Sequence, residues 1–200
     1  MSFNYQQKDK PVFTYPKSVW SKAAFRAPLL LWRLGLGAII GRLIVVITTT
    51  GWKSKQPRHN MAEYYRLDGK KYVVCGFGPR AAWYKNIQAD PHVTIQTSDG
   101  IEPAEVVRVR EDEELIRVYE LFKAHNPLLT KWYLESLDIE PTHEDLLAKK
   151  DRTYWLRFDP TNEPTPPPLE SDLKWVWLVI LALLGVIALY ASQLKKRSGK

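Results

Sequence analysis

Twenty consecutive residues without a charge, Trp175 to Leu194, set the first limit on what this 200-residue chain can fold into. At 1.5 Å of helical rise per residue such a run extends about 30 Å, the thickness of a bilayer's hydrocarbon core. Trp175, Trp177 and Tyr190 fall near its two ends, where amphipathic rings favour an interface. The run predicts a single transmembrane helix over 173–194, followed by a basic tail over 195–200. The opening residues, Met1 to Gln7, lack the basic head and apolar run of a secretory signal. The basic tail favours one orientation, but exporting the long upstream part without a signal is the larger task. The expected localisation is therefore a membrane, with lipid as a partner and the preceding domain on the cytoplasmic side.

Ahead of the apolar run, residues 159–172 hold Pro160, Pro164, Pro166, Pro167 and Pro168. They read as a stiff linker, reaching about 40 Å at 3.1 Å per residue. What precedes it suits one domain. Cys75 is the chain's one cysteine, so no intrachain disulfide is available. The net charge of +7 is uneven: +9 within residues 1–62 and +4 in the last six, leaving −6 between them. Such separation points to an anionic partner. No nucleic-acid recognition motif accompanies it.

Hydrophobic patterning divides the domain. Residues 1–42 form an N-terminal segment whose Pro16–Arg42 part reads as helical, with Lys22, Arg26 and Arg33 on one side. That pattern suits a membrane surface and a helix packed on its own domain equally. Residues 43–158 read as the main domain. It opens with a β-branched strand, Leu43–Thr50, and a second strand around Arg58–Leu67. Asp68-Gly69 is a hairpin signal, and Lys71–Gly76 follows as a strand. A short helix over Ala82–Ala89 stops at Asp90-Pro91. A second hairpin turns about Asp99-Gly100. Helices over Glu111–Ala124 and Pro127–Ser136 precede a last strand, Arg152–Phe158. The fold class is mainly β with accessory helices, a small barrel, plus the one C-terminal transmembrane helix.

The four histidines, His59, His92, His125 and His143, have no metal-ligand spacing, and Cys75 sits mid-strand. No catalytic residue and no metal site emerge, so an enzyme built this way would take its chemistry from a cofactor. Three segments could hold one. Thr48–Arg58 sets Lys53, Lys55 and Arg58 around a glycine turn, a basic turn suited to phosphate. Gly76–Asn86 runs a glycine loop with Gly78 and Arg80 into a helix start that carries Trp83 and Asn86. His125–Tyr133 places Trp132 and Tyr133 on a late helix; packing explains these two more readily than binding.

In order and spacing, the stretches TTTGWKSKQPR, GFGPRAAWYKN and DPHVTIQ, with LWRLGLGAIIGR ahead of them, resemble the deazaflavin-dependent nitroreductase and quinone reductase family. That family's strand-turn pattern reads TTxGRKSGxxR and its helix WYxNL. The resemblance covers roughly Leu31 to Pro160. It implies a split, flavin-reductase-like β-barrel and binding of the deazaflavin coenzyme F-420, with FMN the alternative. The implied activity is hydride transfer to a lipophilic acceptor, a menaquinone or a nitro compound. A non-catalytic lipid or tetrapyrrole carrier on the same barrel is the reading outside enzymes. The family's phosphate loop falls on Lys53 and Arg58, with Lys55 beside them, and its helix motif on Trp83, Tyr84 and Asn86. Gly78 and Arg80 join the cofactor set, while Tyr64, Trp132 and Tyr133 are the candidates for the acceptor. A homodimer is an allowed assembly. Trp52, Lys55 and Met61 depart from the family pattern, where Arg, Gly and Pro are usual.

Overall fold

A computed structural model describes residues 27–198, with side chains in the last helix as far as Ala188 and at Tyr190. The first part of the expected Pro16–Arg42 helix and the side chains of the basic tail lie outside the described residues. From residue 27 the chain is helical, widens into a π turn at Trp32–Leu36 and ends in α1, Gly37–Ile40.

Six strands follow: β1 (Ile44–Thr50), β2 (Pro57–Leu67), β3 (Lys70–Val74), β4 (His92–Thr97), β5 (Gly100–Arg108) and β6 (Trp155–Pro160). They close into an antiparallel barrel in the order β1-β2-β3-β6-β5-β4. The β-branched run of β1 is buried on both faces, with Val45, Val46 and Ile47 at 0% exposure. Asp68 and Gly69, both at positive φ, make the two-residue turn between Leu67 and Lys70 that the sequence signals. Among the described residues five further α-helices are added: α2 (Ala82–Ala89), α3 (Asp112–His125), α4 (Pro127–Ser136), α5 (His143–Ala148) and α6 (Val176–Ser198). Glu111 caps α3 by accepting from the backbone N–H groups of Glu113 and Glu114. Leu115, Val118, Tyr119 and Phe122, spaced at helical period, bury its inner face.

Strand alternation creates two cores. Val45, Ile47, Tyr64, Val73, Leu156 and Phe158 point into the barrel. Their neighbours Tyr72 and Trp155 point outward and join Leu115, Tyr119, Tyr133 and Leu134 under α3, α4 and α5. Arg157, also on the outer side of β6, grips both Glu114 of α3 and Asp159 in bidentate fashion at 2.6–3.0 Å. This fastens α3 to the barrel wall.

The proline-rich segment lies against β4, where Gln96 Nε2 donates to Leu169 O at 3.1 Å and Leu169 N donates to Gln96 Oε1 at 2.7 Å. Beyond it, Asp172 accepts two bonds from Arg33 at 2.6 and 2.8 Å, and Trp177 Nε1 donates to Leu34 O at 2.8 Å.

The mainly β barrel expected from the sequence is present, but the transmembrane helix is not. No helix among the described residues is long and apolar enough to cross a membrane. The expected span over 173–194 and the membrane localisation that rested on it are corrected on this ground.

Candidate functional site

A cavity of about 930 Å³ opens on the outer side of the barrel, against β2 and β3 and beneath α3 and α4. Its size is within the range of small-molecule sites. Three pieces of chain shape it.

The first is the turn after β1. Gly51 N donates to Gln56 O at 2.9 Å, and Lys55 N donates to Gly51 O at 2.8 Å, closing the turn on itself. A Cβ at Gly51 would stand 2.5 Å from Ser54 Oγ and 3.1 Å from Gln56 O, so any larger residue would have to displace the Ser54 side chain from the turn. The closed turn presents Lys53, Ser54 and, from the start of β2, Arg58 to the cavity. Arg58 Nη2 donates to Ser54 Oγ at 3.2 Å, and Lys53 Nζ sits 4.6 Å from the centre of the Trp52 ring.

The second is α2. Asn86, 5% exposed, donates from Nδ2 to Thr49 Oγ1 at 2.8 Å and accepts at Oδ1 from Trp52 N at 3.1 Å. It pins the basic turn to the helix. Trp83, one turn earlier, lines the cavity with Phe77.

The third is the aromatic wall: Phe122 of α3, Asn126, Leu129, Thr130 and Tyr133 at α4, and Trp155 of β6. The Tyr133 hydroxyl accepts from Tyr154 N at 2.6 Å, and burial pushes its phenol pKa upward. Between the basic turn and this wall runs the outer face of β2, with His59, Met61 and Glu63. His59 Nδ1 meets Thr48 Oγ1 at 3.0 Å, and burial lowers its pKa, so the ring is neutral at pH 7. The positive charge lining the cavity thus comes from Lys53 and Arg58.

The structure gathers five of the predicted site residues around one space: Lys53, Arg58, Trp83, Asn86 and Tyr133. The other five stand apart from it. Lys55 and Arg80 are exposed outside the cavity. Gly78 is buried at φ +48°, and a Cβ there would meet the Tyr154 ring at 2.8 Å, which makes it a packing glycine. Tyr64 points into the barrel, where its hydroxyl donates to Gly41 O at 2.9 Å. Trp132 is 44% exposed on the far side of α4. The sequence reading passed over Trp52, Ser54, His59, Met61, Glu63, Asn126 and Thr130. The alternation of β2 is the signal that could have found three of them, because 59, 61 and 63 share the face opposite the core residue Tyr64.

Comparison with known proteins decides the family. The model described as F420H(2)-dependent quinone reductase matches residues 35–134, half of the chain. This chain belongs to that family. As an F420H(2)-dependent reductase it is an oxidoreductase that uses the deazaflavin coenzyme. Solved structures similar to this F420H(2)-dependent reductase include an F420-H2 dependent reductase, 23% identical, covering 59% of this chain and 95% of that one with a TM-score of 0.46. Another, described as a domain-swapped dimer, is 20% identical over 70% of this chain and 98% of that one, with a TM-score of 0.48. HutZ, a heme storage protein from Vibrio cholerae, is 13% identical over 68% and 90%, with a TM-score of 0.42.

The cavity's donor set fits the family's cofactor. A deazaflavin coenzyme carries a phosphate and glutamyl carboxylates. An ammonium, a guanidinium and a hydroxyl around a glycine turn are suited to such anions. The apolar and aromatic remainder suits a flat ring.

Proposed function

We propose that this reductase passes a hydride from the reduced deazaflavin to a lipophilic acceptor of the quinone type. Lys53 and Arg58 hold the anionic tail of the coenzyme. The ring and the acceptor share the apolar part of the cavity, between Trp83 and the wall of Phe122, Leu129 and Tyr133. The observation that carries this reading is the continuity of a basic turn and an aromatic chamber within one space.

Each chain residue then has a physical task. Gly51 lets the turn close tightly enough to present Lys53 and Arg58 together. Asn86 fixes that turn relative to α2, which fixes how far the coenzyme reaches into the cavity. The neutral ring of His59 adds no competing charge along β2. Phe77, Trp83 and Phe122 narrow the space and exclude water from the ring, which strengthens every polar contact inside. When bound, the reduced deazaflavin supplies the hydride itself, so position and electrostatics are what the protein adds.

Turnover tests the reading. With purified full-length protein, reduced coenzyme and 1,4-naphthoquinone, oxidation of the coenzyme is expected to need all three. A protein that binds the coenzyme yet oxidises it no faster when quinone is added would contradict quinone reduction.

A further inference from the structure

His59 stands on β2 directly opposite Thr48 of β1, and both side chains lie on the outer side of the barrel. Its Nδ1 is 3.0 Å from Thr48 Oγ1. Thr48 is 0% exposed, and among the described residues its hydroxyl has no other partner. Were Nδ1–H to donate to Thr48, the hydroxyl proton would be buried without an acceptor, at the desolvation cost of a lost bond. The hydroxyl therefore donates to Nδ1. Burial keeps the ring neutral, so its one N–H is at Nε2. With Nδ1 turned to β1, Nε2 points away from β1 and into the cavity that the ring lines. Among the described residues Nε2 has no hydrogen-bond partner, and it is not sealed in protein. Glu63, the carboxylate on the same face of β2, is engaged elsewhere, accepting from the Tyr65 hydroxyl at 2.6 Å.

We infer that His59, held in this tautomer by Thr48, donates from Nε2 to a carbonyl oxygen on the edge of the coenzyme's ring. This rests on the cavity being the coenzyme site, and it adds the side chain that orients the ring there. Strand alternation favours the ring over the phosphate-bearing tail. Arg58, one residue away, belongs to the other side of β2 and reaches the cavity from the basic turn. His59 instead shares its face with Met61, along the floor that faces Phe122 and Tyr133. A neutral donor also suits an uncharged oxygen, while the anionic tail has an ammonium and a guanidinium at the turn. Apolar walls hold a flat ring but leave it free to slide; one directed bond at its edge fixes its orientation. Thr48 touches no part of the coenzyme in this arrangement and is a positioning residue.

Two ligands separate ring from tail: the whole oxidised coenzyme, and the deazaflavin ring with its sugar-alcohol chain but no phosphate. Each is titrated into full-length wild type, His59→Leu, His59→Gln, Thr48→Val and Lys53→Ala, with melting curves to confirm that the variants are folded. His59→Leu is expected to weaken both ligands about three- to tenfold, the loss of one neutral hydrogen bond. His59→Gln, whose amide N–H reaches close to where Nε2–H stands, should recover most of that loss. Thr48→Val keeps the volume and frees Nδ1 to take the proton, so it should weaken both ligands by a smaller factor. Nitrogen NMR of the His59 ring should show the proton at Nε2 in wild type and a mixture of tautomers in Thr48→Val. Lys53→Ala should weaken the whole coenzyme alone. His59→Leu affinities equal to wild type, a loss confined to the phosphate-bearing ligand, or a proton at Nδ1 in wild type overturns the inference and leaves coenzyme binding standing. Wild type that binds neither ligand overturns the proposed function, and this inference with it.

Discussion

Replacing Arg157 by methionine is expected to destabilise the protein by about 2–3 kcal/mol, which is less than the 3–5 kcal/mol typical of breaking a fully buried pair because solvent reaches this one. Side-chain exposures of 19%, 20% and 25% for Arg157, Glu114 and Asp159 set that discount. Without the guanidinium, two carboxylates face each other across the joint between α3 and β6. A chain of this size should lose roughly 5–10 °C in melting temperature. The effect has a pH signature. For Asp159, burial works against the charged form, but hydrogen bonds from Arg157 and Lys70 outweigh it and leave the pKa below its ordinary value. A carboxylate depressed in the folded state contributes stability above its unfolded pKa and loses it as pH falls through the folded one. The gap between wild type and Arg157→Met should therefore be full at pH 7 and narrow below about pH 4. Thermal melts of both proteins across pH 3–7 measure it; a gap that is constant over that range would refute the ion-pair account.

The second large effect is expected at Asn86. Its amide is used at both ends, toward Thr49 Oγ1 and from Trp52 N. Asn86→Ala removes two hydrogen bonds from a buried position, at a cost of about 1–2 kcal/mol, since the Trp52 N–H can recover water and the buried Thr49 hydroxyl keeps its bond to Arg58 O at 3.3 Å. It also frees the turn that carries Lys53, so coenzyme affinity should fall about tenfold. The two effects are expected together, as a lower melting temperature and a weaker titration. A variant that melts like wild type would show that the turn is held by its own backbone bonds. The side chain touches no charged part of the ligand in this account and acts by positioning.

How much of this was legible in the sequence depends on the range of the interaction. The β-branched run that became β1, the Asp68-Gly69 turn and the acid-capped start of α3 are all fixed by neighbours within a few residues. The pairing of β3 with β6, Val73 opposite Leu156, brings together segments far apart in the chain, and no local pattern announces it. The same divide runs through the site. Lys53 and Arg58 could be read together because a tight turn keeps them close. Tyr64 was misplaced because its ring turns into the barrel, where its hydroxyl is held by Gly41 O, a contact made across 23 residues of chain. Trp132 was misplaced because one helical step, 100°, turns it away from the side that Tyr133 occupies. Gly78 reads the same whether a loop needs positive φ or a ligand needs room; here Tyr154 fills the space.

The central claim is that Lys53 and Arg58, and not the other basic residues near them, hold the coenzyme's anionic tail. Titration of the oxidised deazaflavin coenzyme into wild type, Lys53→Ala, Arg58→Ala and Arg80→Ala tests it. A charge-assisted hydrogen bond is worth about 1.5–3 kcal/mol, so the first two variants should bind roughly ten- to a hundredfold more weakly. Arg80 is exposed and outside the cavity, so its variant should bind like wild type. Added salt should weaken wild type more than Lys53→Ala or Arg58→Ala, because one ion pair is already gone from each. Equal affinities in all four proteins, or an Arg80→Ala loss as large as the other two, would contradict the account.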